Sequence, residues 1–263
     1  MLEVDINADL GEGFGPWKMG EDEQLMALIS SANIACGFHA GDPTIMRDTL
    51  SRAKALGIDA GAHVGFPDLV GFGRRRMAID PQALCDLVLY QLAAISGLAD
   101  MIGHPIKLMS FHGALGNMVA EDAALATPLV AAVAAFNPAL IIKSSISPCI
   151  RDAAEKCGGI RVETVFHADR AYDAEGLLVS RKLPDAVIHD RQRVMRRVSQ
   201  FLRTGTATTI AGNEIAIPAR SILVHGDNAG AVELARAIRA EVERLGGKVL
   251  PLSKLSSICQ PER

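Results

Sequence analysis

Aromatic residues are scarce in this chain of 263 residues, which has one tryptophan, two tyrosines and eight phenylalanines. A β-sandwich core usually relies on such large side chains, whereas layers of helices and strands pack closely with small ones. Apolar residues nevertheless make up 49% of the chain, and there are 24 glycines. This composition favours an α/β protein with a substantial core.

No excess of charge of either sign is present. The 27 basic and 30 acidic residues are interspersed and give a formal net charge of −3. A nucleic-acid-binding protein normally presents a basic face, so we expect no nucleic-acid partner.

Cysteines are few and show no pairing pattern. The five cysteines are far apart and form no C-x-x-C pair: Cys36, Cys85, Cys149, Cys157 and Cys259. The opening MLEVDINADL lacks a basic stretch followed by an apolar one, so we expect no signal peptide. No apolar run approaches the roughly 18 residues that span a bilayer. These features predict reduced thiols, a cytoplasmic location and no membrane association.

Several short catalytic motifs are also missing. The sequence has no H-E-x-x-H metal motif, no G-x-S-x-G nucleophile elbow and no G-x-x-x-x-G-K-[ST] phosphate loop. A serine-hydrolase mechanism and a P-loop are therefore unsupported, and any metal site must be assembled from distant residues.

Apolar strand-like segments alternate with segments of helical period along the whole chain. The predicted strands are 2–7, 33–38, 58–62, 106–111, 140–144, 160–166 and 221–225, with 248–252 as a further short one. The predicted helices are 21–31, 44–56, 81–102, 122–135, 148–156, 190–203 and 229–245, and 207–218 is a polar hairpin. Strands joined by helical crossovers form a parallel sheet. We therefore predict a single-domain β/α barrel over 1–263, seven-stranded and distorted, with a doubly wound open sheet as the alternative.

Polar residues recur where these predicted strands end. Five of the seven histidines lie there, each with a nearby acid, amide or arginine: Asp9 and Glu12, His39 and Asp42, His63 and Asp68, His112 and Asn117, His167 with Asp169 and Arg170, and His225 with Asp227. The carboxyl ends of parallel barrel strands share one face, so these side chains are expected to converge there. Asp42 and Asp227 are also suited to cap the helices that follow them.

Histidines and carboxylates gathered at one site permit two chemistries. They can bind a divalent metal, or they can act as general acid and base without one, and the sequence leaves both open. The segment GFGRRR at 71–76 offers arginines that could bind a phosphate or a carboxylate.

Six longer blocks resemble the signature segments of a known family. They are NADLGEGFGPW, SANIACGFHAGDP, FPDLVGFGRR, HGALGN, ADRAYDAEGLLVSR and VHGDNAGAVELARAIR, spread over about residues 5–245. They look like those of the LamB/YcsF lactam-utilization family, whose bacterial members are the A component of ATP-dependent 5-oxoprolinase. The resemblance implies a β/α barrel similar to polysaccharide deacetylases and some glycoside hydrolases. It also implies ATP-coupled opening of 5-oxo-L-proline or a related lactam to L-glutamate, with B and C partner subunits.

The resemblance suggests roles for the convergent residues. Asp9 and Glu12 would orient or deprotonate water or hold a metal, His39 and His63 would bind a divalent metal or polarise the lactam carbonyl, and His112 would act as acid or base. The expected substrate- or ATP-binding residues are Asn7, Asp42, Arg74, Arg75, Asn117, Asp169, Arg170, His225 and Asp227.

The blocks depart from the family pattern at functional loops. The family usually has a lysine where Ser110 stands and a tyrosine where Gly116 stands, and His167 looks like an insertion. Two other interpretations therefore stay open: a stand-alone metal-dependent amide hydrolase of the deacetylase type, and a non-catalytic scaffold protein within the complex. Association of the chain with copies of itself is also open.

Overall fold

The computed structural model describes residues 2–255, so Cys259 lies outside the described residues. The strands, β1 to β10 in chain order, are Glu3–Leu10, Ser31–Ala35, Asp59–Val64, Leu108–Phe111, Ile141–Ser144, Val162–His167, Thr206–Thr208, Glu214–Ala216, Ala219–Val224 and Lys248–Val249. The α-helices, α1 to α8, are Asp22–Met26, Pro43–Leu56, Pro81–Ile102, Gly113–Glu121, Ala123–Phe136, Pro148–Lys156, Arg191–Thr204 and Ala231–Arg244.

Seven parallel strands close into a barrel. The strand order is β1-β2-β3-β4-β5-β6-β9, and β9 pairs back onto β1 through Asp5 opposite Ser221. β10 extends the far end of β1, where Glu3 lies opposite Lys248. The predicted barrel is confirmed, and the open doubly wound sheet is excluded because both edges of the sheet are joined.

Most predicted elements are present, with shifted ends. β1 continues three residues beyond the predicted 2–7 because its polar residues Asn7 and Asp9 face the barrel interior instead of ending the strand. The prediction of a helix over 21–31 was too long, since α1 ends at Met26 and β2 begins at Ser31. The hairpin expected at 207–218 is the antiparallel pair β7 and β8.

Helix starts follow ordinary capping chemistry. The Asp42 carboxylate accepts hydrogen bonds from the backbone N–H groups of Thr44 and Ile45, at 2.8 and 2.9 Å, at the start of α2. Asp227 does not cap α8, contrary to expectation, because the cap residue there is Gly230 and Asp227 pairs elsewhere.

The α3 helix corrects one expectation about apolar runs. Its 22 residues are long and apolar enough, by length and composition, to cross a membrane. One face of this helix is buried, through Leu84, Val88, Leu92 and Ile95, and these residues belong to the main hydrophobic core of the barrel. The same length and composition occur in core helices of soluble proteins, so this helix is weak evidence for a membrane span.

The amino-terminal end of the barrel is closed by the last described segment of the chain. A 3₁₀ turn at Leu252–Lys254 follows β10, and Leu252 and Leu255 pack against Leu108 and Ile141 of the strands. The Ser253 backbone N–H donates to the Asp59 carboxylate at 2.9 Å. With this end sealed, the interior opens only at the carboxyl ends of the strands.

Candidate active site

A cavity of about 570 Å³ lies inside the open end of the barrel. Its wall carries residues from every barrel strand or the loop that follows it, including Asn7, Asp9, Asn33, His63, Ser110, Lys143, His167 and His225. The predicted convergence of strand-end residues is therefore observed. The cavity wall is both strongly polar and deeply buried.

Three histidines and a glutamate form a compact cluster at one side of the cavity. Glu12, His39, His63 and His112 are all buried, and one potential ligand atom from each lies within 4.8 Å of the others. His39 Nε2 is 3.2 Å from a Glu12 carboxylate oxygen. The His39 and His112 rings stack with centroids 3.7 Å apart.

The hydrogen bonds of these rings direct lone pairs toward one point. His112 Nε2 donates to the Phe72 carbonyl at 2.8 Å, which leaves the lone pair of the neutral ring on Nδ1. That Nδ1 faces His63 Nε2 at 3.0 Å, while His63 Nδ1 contacts the Ser110 hydroxyl at 2.7 Å. When His63 donates to Ser110, two lone pairs face each other, and a cation between them relieves the repulsion. The donor set therefore fits a divalent metal.

The electrostatics of the cluster agree with a metal site. Burial and the neighbouring His112 and His63 hold the pKa of His39 well below its usual value, and burial with His63 lowers the pKa of His112 to about 3. These two rings are therefore neutral, the form that ligates metals. Burial and the nearby Asp9 raise the pKa of Glu12 well above its usual value, and a bound cation would reverse this.

Two glycines allow the rings to pack this closely. A Cβ at Gly65 would lie 2.6 Å from His39 Nδ1, a buried nitrogen without a hydrogen-bond partner. A Cβ at Gly73 would lie 2.8 Å from Cδ2 of His112 and 2.8 Å from Cβ of His39, and Gly73 also has a φ of +59°. The glycine-rich segment 71–76 is thus shaped to cover the cluster, which is a different use from the anion binding that its sequence suggested.

Asp9 stands beside the cluster and is held by an amide. It accepts a 2.8 Å hydrogen bond from Asn33 Nδ2, and one of its oxygens is 3.5 Å from His63 Nε2. Burial alone raises the pKa of Asp9, but His63, His225 and the Asn33 hydrogen bond outweigh it and hold the pKa well below its usual value. Asp9 is therefore a carboxylate at neutral pH.

A second group, His225 with Asp169, occupies another part of the cavity wall. His225 Nδ1 donates to the Asp169 carboxylate at 2.7 Å, and Asn228 Nδ2 donates to the same carboxylate. Burial raises the pKa of Asp169, yet His225 opposes this and the net effect lowers it. The Nε2 atom of His225 makes no hydrogen bond to any described residue. This arrangement suits a general acid or base whose ring is oriented by a carboxylate.

The remaining expected binding residues fall into two groups. Asn7, Arg74, Arg75, Asn117 and Arg170 line the cavity, whereas Asp42 does not and instead caps α2. The arginines are already engaged. Arg74 pairs with Asp227 at 2.6 Å, Arg75 pairs with Asp68, and Arg170 donates to the carbonyls of Ala186 and Val179.

Sequence reasoning missed three cavity residues. Lys143, Ser110 and Arg181 all line the cavity, and none was expected to contribute. Lys143 lies in the strand sequence LIIKS, where a single lysine in an apolar segment was the available signal. Ser110 was noted only as a departure from the family pattern, yet it positions the His63 ring.

Comparison with known proteins agrees with this geometry. The model of the LamB/YcsF family matches residues 4–257. This chain belongs to the LamB/YcsF family. A LamB/YcsF relative from Pseudomonas syringae pv. tomato, named as the first of that organism's 5-oxoprolinase A components, is 60% identical over 97% of this chain and 99% of its own length. A second, named as a 5-oxoprolinase A component of Ralstonia nicotianae, is 57% identical over 96% of this chain and 97% of its own.

A solved LamB/YcsF structure has the same fold. The lactam utilization protein from Thermus thermophilus superposes with a TM-score of 0.88 at 38% identity, covering 95% of this chain and 100% of that one. The barrel, its closure and the order of its strands are therefore those of the LamB/YcsF family.

Proposed function

We propose that this chain is the lactam-opening component of an ATP-dependent 5-oxoprolinase, which hydrolyses 5-oxo-L-proline to L-glutamate together with B- and C-type partner subunits. The observation that carries the proposal is the cavity itself, in which Glu12, His39, His63 and His112 share a wall with the His225–Asp169 pair. The names of the relatives supply the substrate and indicate that other subunits exist.

The four clustered residues would hold a divalent metal. Such a metal, when bound, lowers the pKa of a coordinated water and polarises a carbonyl. Ser110 fixes the His63 ring, Phe72 fixes the His112 ring, and Asn33 holds Asp9 beside them. Asp9 is then placed to accept a proton from the attacking water.

Opening a lactam also requires a proton on the departing nitrogen. His225 Nε2 has no hydrogen-bond partner among the described residues, and the Asp169 carboxylate stabilises the imidazolium form through Nδ1. His225 would therefore donate this proton as the ring opens. Asp9 and His225 interact electrostatically, which is consistent with one proton-accepting and one proton-donating group in a single cavity.

ATP enters the proposal for a chemical reason. An unstrained amide is a poor electrophile, and phosphorylation of its oxygen would make it far more reactive toward water. Arg170 and Arg181 line the cavity and have no carboxylate within 4 Å among the described residues, so they would offer positive charge to a phosphoryl group.

The decisive experiment combines the purified chain with its partner subunits, ATP and 5-oxo-L-proline, and measures glutamate. Glutamate well above the control without ATP is expected. Glutamate formed equally without ATP and without partners would instead favour a stand-alone metal-dependent hydrolase. Assembly with the partners but no lactam-dependent ATP hydrolysis would favour a scaffold role.

A further inference from the structure

Lys143 places a charged group deep inside the barrel. Its residue is 3% exposed, and its neighbours on β5 are Ile141 and Ile142. The residue lies opposite Ser110 of β4, and both side chains reach the cavity. A lysine at such a position is costly unless something compensates its charge.

The protein itself compensates this charge incompletely. Lys143 Nζ donates to the amide oxygens of Asn33 and Asn7, the second at 3.3 Å, and both acceptors are neutral. No carboxylate of the described residues lies within the 4 Å of an ion pair. Two other cavity cations differ, since Arg74 and Arg75 have the partners Asp227 and Asp68.

The ammonium group nevertheless carries its charge at neutral pH. Burial lowers the pKa of Lys143 to about 8, and the more distant carboxylates of Asp5, Asp9 and Asp59 oppose that shift. An ammonium has three N–H donors, and Asn33 and Asn7 account for two of them. The third donor and an unbalanced positive charge therefore remain at the cavity wall.

We propose that Lys143 binds the carboxylate of the lactam substrate. This inference rests on the proposed function, because 5-oxo-L-proline carries a carboxylate next to its ring nitrogen. The carboxylate would supply the counter-charge and accept the third N–H.

The geometry allows the amide to reach the histidine cluster at the same time. Lys143 lies opposite Ser110, and Ser110 lies opposite His63, so the lysine is two strands from the cluster, about 10 Å between backbones. A small ring held by its carboxylate at Lys143 can therefore present its carbonyl toward His63. A lactam without a carboxylate loses this anchor, so Lys143 would determine specificity.

A purely positioning role makes a different prediction. Lys143 also contacts Asn33, which holds Asp9, so the lysine could act only by orienting that amide. Loss of a positioning residue lowers kcat for every lactam, whereas loss of a carboxylate anchor raises KM only for substrates that carry the carboxylate.

The test compares 5-oxo-L-proline with its neutral carboxamide, using the wild-type chain, Lys143→Met and the exposed-site control Lys156→Met. Calorimetry on the isolated chain gives Kd, and the complex with partner subunits and ATP gives KM and kcat. We expect the wild type and Lys156→Met to prefer the acid, and Lys143→Met to bind it roughly 10- to 100-fold more weakly with binding of the carboxamide unchanged. Thermal melting checks the fold, and Lys143→Gln replaces Lys143→Met if the latter does not fold.

Three outcomes overturn the proposal: equal binding of both lactams by the wild type, undiminished binding of the acid by Lys143→Met, or equal losses for both lactams. If the wild-type complex forms no glutamate, the proposed function fails independently. The calorimetric comparison on the isolated chain still decides the role of Lys143, and absence of binding to the wild type counts against it.

Discussion

His63 Nε2 lies 3.0 Å from His112 Nδ1, although the two residues are 49 positions apart in the chain. The partners of the other two ring nitrogens, the Ser110 hydroxyl and the Phe72 carbonyl, direct this pair toward the same point. Glu12 and His39 complete the group. The contact between the two rings is therefore the feature from which metal binding follows.

Replacement of a clustered histidine should abolish metal binding. We expect the wild-type chain, stripped with a chelator and titrated with Zn²⁺ or Mn²⁺, to bind one ion. His63→Ala and His112→Ala should bind it far more weakly, since even loss of a group that only orients a ligand costs about 10- to 100-fold. Calorimetry and elemental analysis measure this, with the exposed His189→Ala as control. Unchanged stoichiometry and affinity in both variants would exclude the cluster as a metal site.

The Asp169→Asn variant should lose turnover while retaining substrate binding. An amide in place of the carboxylate cannot stabilise the imidazolium of His225, which it contacts at 2.7 Å. We expect kcat to fall about 100-fold or more with KM little changed. Steady-state kinetics across pH test this, and Asp152→Asn on exposed α6 is the matched control. A rise in KM without loss of kcat would assign Asp169 to substrate binding instead.

His167 should make the protein less stable in mild acid. Burial and the neighbouring His225 lower the pKa of His167 from 6.5 to about 3. As pH falls below 6.5, the unfolded chain binds a proton that the folded chain cannot, so the free energy of unfolding decreases. This loss continues toward pH 3, at about 1.4 kcal/mol per pH unit for one group.

Urea denaturation at pH 7, 6 and 5 measures this dependence. His167→Gln removes the titrating group, so its free energy of unfolding should fall less steeply between pH 6 and 5 than that of the wild type. His112 shifts in the same direction and remains in both proteins, so a shallower slope and not a flat one is expected. Identical slopes would show that His167 is protonated in the folded state.

The 3₁₀ turn that closes the barrel should matter for stability and not for chemistry. Leu252 is fully buried against Leu108 and Ile141, at the end opposite the cavity mouth. We expect Leu252→Ala to lower the free energy of unfolding by about 2–5 kcal/mol, with kcat unchanged well below the melting temperature. Chemical denaturation tests this, and the exposed Lys254→Ala is the control. A cost below about 0.5 kcal/mol would show that Leu252 does not seal the barrel.

The barrel, and the face of it that carries the chemistry, follow from the order of residues along the chain. Strand-like segments alternate with helical ones, and His39, His63, His112, His167 and His225 recur at or just beyond the ends of those strands. In a parallel barrel the carboxyl ends of strands meet at one face, so the pattern predicts convergence without any coordinates.

Which of these residues touch one another depends on the folded chain. Hydrogen-bond partners across the barrel are set by strand register and by how loops fold over the mouth, and neither is fixed by local pattern. Thus Asp227 pairs with Arg74 instead of capping a helix, and Gly73 packs against His39 and His112. Lys143 could be recognised as a charge lacking a carboxylate partner only when Asn7, Asn33 and Ser110 had been placed around it, because burial is a property of the assembled barrel.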